Sequence, residues 1–145
     1  MSDNNALKLE SQLCFPLYAA SRKMIRAYRP HLDALGLTYT QYITMMVLWD
    51  RKTVTVKDLG QTLFLDSGTL TPLLKGLESK GYVLRARSKE DERVLNVTLT
   101  EAGEALKEKA AGVPLKMAAC VRMRPDEAAA LRRILYTILE DTNDE

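Results

Sequence analysis

Residues 55–99 read TVKDLGQTLFLDSGTLTPLLKGLESKGYVLRARSKEDERVLNVTL, and their order decides the fold. Leu70, Leu73, Leu74 and Leu77 fall at the i, i+3, i+4, i+7 spacing of one helix face. Asp66 or Ser67 can cap that helix, and Gly81, just after Lys80, can stop it. A shorter helix precedes it. Thr55 with Asp58 has capping-box spacing, and Val56, Leu59, Leu63 and Phe64 give an apolar side. Leu65-Asp66 makes the turn between the two. Val83–Ser88 and Val94–Leu99 then read as short strands joined by the polar tip Lys89-Glu90-Asp91-Glu92.

A helix-turn-helix followed by a hairpin is a winged-helix layout. Outward from it, residues 8–29 read as a helix with Leu9, Leu13, Leu17, Met24 and Tyr28 close to one stripe. Pro16 either sets its effective start near Phe15 or bends it, and Pro30 ends it. Tyr39–Asp50 forms another helix. Thr100-Glu101 begins a long one, interrupted near Gly112 and Pro114, and Pro125 opens the last. Leu131, Ile134, Leu135, Ile138 and Leu139 form its core side. The expected fold is mostly α with a small β-hairpin wing, a single domain over residues 1–145. The winged helix-turn-helix spans about 33–100, with dimerisation helices at about 8–30 and 101–141. Those terminal helices are too long and apolar to be tails. Covering their stripes with a second copy makes a two-fold homodimer.

The chain has 145 residues, 46% of them hydrophobic and 28% charged, enough for a core and ordinary for a globular domain. No apolar run is long enough for a membrane helix, and the polar N-terminus lacks a signal-peptide layout. The expected location is the cytoplasm, with no membrane partner. Two cysteines are too few for a disulfide scaffold, and with a single His they leave no structural zinc site. There is no Gly-rich phosphate loop and no nucleophile elbow, so the reading is non-enzymatic and calls for no cofactor.

The net charge of +2 announces no partner, but its distribution is informative. Arg22, Lys23, Arg26 and Arg29 share a stretch with no carboxylate; Lys75, Lys80, Arg85 and Arg87 share one opposed only by Glu78. Acidic residues gather at Glu140, Asp141, Asp144 and Glu145. On the helix that starts at Ser67, the face opposite the leucines carries Gly68, Thr71, Pro72, Lys75, Gly76 and Ser79. Small, hydroxylated and basic groups suit a helix seated in a major groove of double-stranded DNA. The N-terminal residues of such a helix read the bases, here Asp66, Ser67, Thr69 and Thr71, with Lys75 adding charge. Pro72 deletes a bond to the Gly68 carbonyl and is expected to distort the helix without breaking it. Arg85 and Arg87 line the wing, and Arg93 at its tip is placed for a minor groove, with Asp91 holding the tip by pairing with an arginine. A plain amphipathic helix and an exposed ion pair are the structural alternatives.

The wing run Asp91-Glu92-Arg93, followed by Leu99-Thr100-Glu101-Ala102-Gly103, resembles the MarR family of repressors over roughly Leu9 to Leu139. Three further motifs resemble its organic-hydroperoxide-sensing OhrR subgroup. They are Gln12-Leu13-Cys14-Phe15 with Leu17-Tyr18, Leu37-Thr38-Tyr39-Thr40-Gln41-Tyr42, and Leu65-Asp66-Ser67-Gly68-Thr69-Leu70-Thr71-Pro72-Leu73-Leu74-Lys75. The resemblance implies a dimer that binds a near-palindromic operator, an organic hydroperoxide as oxidant of Cys14, and release of the DNA. It also implies that Tyr28 and Tyr39 bond to the reactive sulfur.

Fourteen positions on one helix separate Cys14 from Tyr28, roughly 21 Å at about 1.5 Å per residue. A bond between them requires the other subunit or a helix that folds back. The first product of oxidation is a sulfenic acid. Cys120 is then either the resolving thiol of a disulfide or a buried structural cysteine, and the sequence leaves both open. Two other switches remain as alternatives. One is a small aromatic ligand held non-covalently by Tyr28, Arg29 and Tyr39. The other is a thiol peroxidase, which the helix-turn-helix and wing do not suit.

Overall fold

The computed structural model describes residues 3–141, so Asp144 and Glu145 lie outside the described residues. The chain divides into two compact units, Met1–Val113 and Pro114–Glu145. After two short 3-10 turns the first unit runs α1 (Cys14–Asp33), α2 (Tyr39–Arg51), β1 (Thr53–Thr55), α3 (Val56–Leu63), α4 (Ser67–Ser79), β2 (Val83–Arg87), β3 (Leu95–Leu99) and α5 (Glu101–Ala110). A break at Ala111-Gly112 leads to α6 (Val113–Cys120), which carries the chain into the second unit. There α7 (Pro125–Asp141) begins at the expected proline. The mostly helical fold with a small antiparallel wing agrees with the sequence reading.

Helix α1 begins at Cys14, which puts Pro16 in the first turn, where its missing N–H costs no helix bond. Pro30, expected to end this helix, lies inside it. The helix runs on to Asp33 because its stop is chemical and further along. Gly36 takes φ +69°, a region open to glycine. Leu37 N–H then donates back to the Leu32 carbonyl at 3.1 Å and Gly36 N–H to Asp33 at 3.0 Å. Helix α4 ends the same way. Gly81 takes φ +82°, Tyr82 N–H donates to Leu77 O at 3.1 Å and Gly81 N–H to Glu78 O at 2.9 Å. Pro72 leaves α4 unbroken, as expected.

Strand β1 goes beyond the sequence expectation of a two-stranded hairpin. Three residues long, it pairs antiparallel with β3 (Val54 opposite Val97), giving a sheet ordered β1-β3-β2. Strands β2 and β3 form the wing in the register Val83–Leu99 to Arg87–Leu95. Val54, Val83 and Val97 are buried and face a core made by Met45 and Leu48 of α2, Leu59 of α3 and Leu70, Leu74 and Leu77 of α4. The indole of Trp49 donates to the carbonyl of Gly103 at 2.9 Å, tying α2 to α5. Gly103 admits no side chain, since a Cβ there would overlap the Tyr82 carbonyl oxygen.

The terminal helices contrast with this core. In α1 only Leu32 is buried, and Phe15, Leu17, Tyr18, Met24 and Ile25 are exposed. Helix α7 buries none of its residues, although Leu131, Ile134, Ile138 and Leu139 form an apolar stripe along it.

Candidate functional site

Helix α4 turns its leucines inward and leaves Ser67, Gly68, Thr69, Thr71, Pro72 and Lys75 exposed. Asp66 is the N-cap; its carboxylate accepts the Thr69 N–H at 2.7 Å, a bond that holds its pKa below the ordinary range. The Thr71 hydroxyl donates to the Ser67 carbonyl at 2.9 Å, one turn back. The sequence pattern presents Asp66 as a base contact. One of its oxygens is engaged by the helix it starts, as the cap reading anticipates, and the residue stays exposed.

Arg85 is also engaged inside the fold. Its guanidinium donates to Glu78 Oε1 at 3.0 and 3.2 Å, and its backbone N–H to Glu78 Oε2 at 3.0 Å. Those bonds lower the Glu78 pKa and fasten the wing to the recognition helix. Arg87 is exposed and reaches across the wing to the Glu92 carbonyl at 3.3 Å. At the tip Asp91 accepts from the Arg93 backbone N–H and Nε, both at 3.1 Å, in line with the sequence reading, and these bonds lower its pKa. The side chain of Arg93 is nonetheless 90% exposed. Asp66, Ser67, Thr69, Thr71, Lys75, Arg87 and Arg93 are exposed, while Arg85 and Asp91 are half-buried and engaged in ion pairs.

A second cluster lies where α1 meets α2. The rings of Tyr28 and Tyr39 are 5.0 Å apart at their centroids, and Tyr42 stacks 5.8 Å from Tyr28 and 6.4 Å from Tyr39. Burial raises the Tyr28 pKa; burial, then the neighbouring Tyr28 and Tyr39, raise that of Tyr42. Such phenols stay neutral and able to donate. Tyr42 is the buried floor of the cluster and is missing from the sequence candidates, although its i+3 spacing from Tyr39 puts both on one face. Beside the cluster a cavity of about 310 Å³ is lined by Ile25, Arg29, Leu37, Thr38 and Tyr39, among others.

Cys14 is the first residue of α1 and exposed. Because α1 is one continuous helix from Cys14 through Tyr28, the fold-back option is excluded, and the two backbone positions of one subunit lie roughly 21 Å apart along its axis. Cys120 closes α6 in the second unit and is exposed in the single chain. Among the described residues no group of His, Cys, Asp and Glu could hold a metal ion, and no helix is long and apolar enough to cross a membrane.

The family model of the SarA/Rot transcriptional regulators matches residues 26–110. The organic hydroperoxide resistance transcriptional regulator of Bacillus subtilis is 48% identical over 134 residues, covering 92% of this chain and 91% of the relative. The chain belongs to the MarR family of transcriptional regulators. Its relation to that Bacillus protein puts it in the organic-hydroperoxide subgroup, as the motifs around Cys14, Tyr39 and Thr69 implied. Among solved structures, overoxidised AbfR bound to DNA, a Staphylococcus epidermidis protein, superposes with a TM-score of 0.78 at 35% identity, covering 96% of this chain and 98% of that one. AbfR is also known reduced on DNA and in a disulfide form. A cysteine-to-serine mutant of Escherichia coli MarR complexed with operator DNA gives a TM-score of 0.74 at 26% identity, covering 88% of this MarR-family regulator and 93% of that chain.

Proposed function

We propose that this regulator is a homodimeric repressor that binds a pseudo-palindromic DNA operator, senses organic hydroperoxides through Cys14 and releases the DNA on oxidation. The observation that carries the reading is the Tyr28–Tyr39 phenol pair, with the exposed Cys14 on the same unbroken helix as Tyr28 but out of its reach. A second copy supplies what one chain lacks. Residues 8–30 and 101–141 serve as dimerisation helices around a winged helix at about 33–100, and pairing covers the apolar stripes of α1 and α7. It also brings Cys14 of one subunit to Tyr28 and Tyr39 of the other.

The Cys14 thiolate attacks the distal peroxide oxygen and the O–O bond breaks. Sulfur becomes a sulfenic acid, and the leaving alkoxide takes a proton to become an alcohol. The neutral phenols donate to sulfur while it is charged. Cys120 of the partner subunit then attacks the sulfenic sulfur, forming a disulfide and releasing water. One oxidation per signal is the full event, so the chain acts as a non-enzymatic switch in the cytoplasm. On DNA, Ser67, Thr69 and Thr71 meet base edges and phosphates, Lys75 and Arg87 meet phosphates, and Arg93 enters the minor groove.

The test uses a duplex selected by the reduced dimer from a random pool. Cumene hydroperoxide releases the wild type, Cys14→Ser stays bound, and oxidised wild type runs as a covalent dimer that Cys120→Ala cannot form. Release of Cys14→Ser at wild-type peroxide levels overturns the reading. The cavity beside Arg29 and Tyr39 favours a second one, a small aromatic acid held without covalent chemistry. A ligand-induced affinity change in Cys14→Ser would establish it.

A further inference from the structure

The two glycine corners that end α1 and α4 are joined by one side chain. Lys80, the C-cap of α4, sends its ammonium to the carbonyl of Gly36 at the α1 corner and to Gln41 Oε1 in the first turn of α2, the latter at 3.0 Å. Gln41 is 8% exposed. It also completes the start of α2: its Oε1 accepts the Thr38 N–H at 3.1 Å, and its own N–H donates to the Thr38 hydroxyl at 3.3 Å. Its amide nitrogen lies against α4 so closely that a Cβ on Gly76 would come within 2.8 Å of it. Tyr39 sits between Thr38 and Gln41 in this same turn and stacks on Tyr28 of α1.

We infer that Lys80 and Gln41 are positioning residues that couple the tyrosine cluster to the DNA-reading helix, so that movement of Tyr39 shifts α4 through the Gln41–Lys80–Gly36 clasp. The chemistry suits a shared pivot. An ammonium has three donors, and here it engages one carbonyl at a helix end and one amide oxygen on the next helix. A turn cannot tilt to follow Tyr39 without carrying Gln41, and Gln41 cannot move without loosening Lys80 or pushing on Gly76. Lys80 also lies at the negative end of α4, where a cation is favoured, so the clasp persists in the resting state. Coupling of this kind requires an element with two arrangements that both sites bias, and the first turn of α2 touches both.

The inference rests on the proposed peroxide switch, and the test separates the two. For wild type, Lys80→Met, Lys80→Arg and Gln41→Glu, operator Kd is measured before and after cumene hydroperoxide. Cys14 oxidation is followed independently by mass spectrometry. The quantity read is the oxidised-to-reduced Kd ratio within each variant, so any loss of general charge cancels. In Lys80→Met the ratio falls by at least about tenfold, a normal coupling magnitude, while Cys14 oxidises at the wild-type rate. Lys80→Arg restores the ratio, because a guanidinium can serve both acceptors. Gln41→Glu keeps it, because a carboxylate still accepts from Thr38 N–H and Lys80. A Lys80→Met ratio within about twofold of wild type overturns the inference alone. Loss of the ratio in Gln41→Glu also overturns it, as does a Lys80→Met that is unfolded by circular dichroism. A wild type that oxidises at Cys14 without releasing DNA overturns the switch itself, and the inference with it.

Discussion

Glu78 holds Arg85 by three bonds at 3.0–3.2 Å, so this wing arginine is half-buried and fastened to the recognition helix. The exposed cations and the engaged one therefore separate in a salt titration. Because each substitution changes both subunits of the homodimer, Lys75→Ala or Arg87→Ala each lowers the slope of log K against log salt by about 1.8, the loss of two phosphates neutralised. Arg85→Met weakens binding by displacing the wing and leaves the slope at the wild-type value. Filter binding at four salt concentrations measures both. A slope in Arg85→Met reduced as much as in Lys75→Ala would make Arg85 a direct contact.

Gly103→Ala tests the junction of α5 with the wing. The added methyl would overlap the Tyr82 carbonyl oxygen and lie 2.6 Å from a Leu99 methyl, and backbone cannot yield cheaply. A loss of about 1–3 kcal/mol is expected, and urea denaturation reads it directly. Trp49 fluorescence reports the same region, because the Trp49 indole donates to the Gly103 carbonyl.

Tyr39→Phe and Tyr28→Phe keep the ring packing at 5.0 Å and remove a hydroxyl donor each. A hydrogen bond to a charged group contributes about 1.5–3 kcal/mol, so Cys14 oxidation slows by about tenfold or more. Reduced-state DNA affinity stays near wild type. Stopped-flow oxidation with cumene hydroperoxide checks this, and an unchanged rate in both variants would remove the phenols from the chemistry.

Stability depends on pH through four carboxylates. Hydrogen bonds from Thr69, Arg85, Arg93 and Lys52 hold Asp66, Glu78, Asp91 and Glu104 below their ordinary pKa values. A pKa lower in the folded than in the unfolded state stabilises the fold above the unfolded value, and that gain is lost as pH falls through the folded value. Urea midpoints are therefore flat near neutrality and drop through the acid range. Asp66→Asn keeps a good cap but does not titrate, so its acid drop is shallower. An equal drop in Asp66→Asn would mean the Thr69 bond does not discriminate the charged form.

The winged helix was legible because its signals are local. The leucine spacing of α4 and the glycine after Lys80 belong to one short stretch, and both act as read. Three features escaped for different physical reasons. Pro30 looks like a stop, but the backbone bonds of Gly36 and Leu37 set the end of α1. Strand β1 has three residues and exists because β3 pairs with it. Arg85 carries the charge a DNA contact needs, yet sequence does not reveal that Glu78 of the neighbouring helix engages it. Likewise Lys80 and Gln41 are thirty-nine positions apart, and nothing in either residue announces the other.

The unbroken run of α1 has a last consequence. Cys14 and Tyr28 ride one rigid rod, so a solitary subunit cannot bring its thiol to its own phenols. On the proposed inter-subunit arrangement, sensitivity to peroxide follows the monomer–dimer equilibrium. Dilution below the dimer dissociation constant leaves the thiol slow to oxidise, and a cell holding few copies of the regulator is correspondingly deaf to the oxidant.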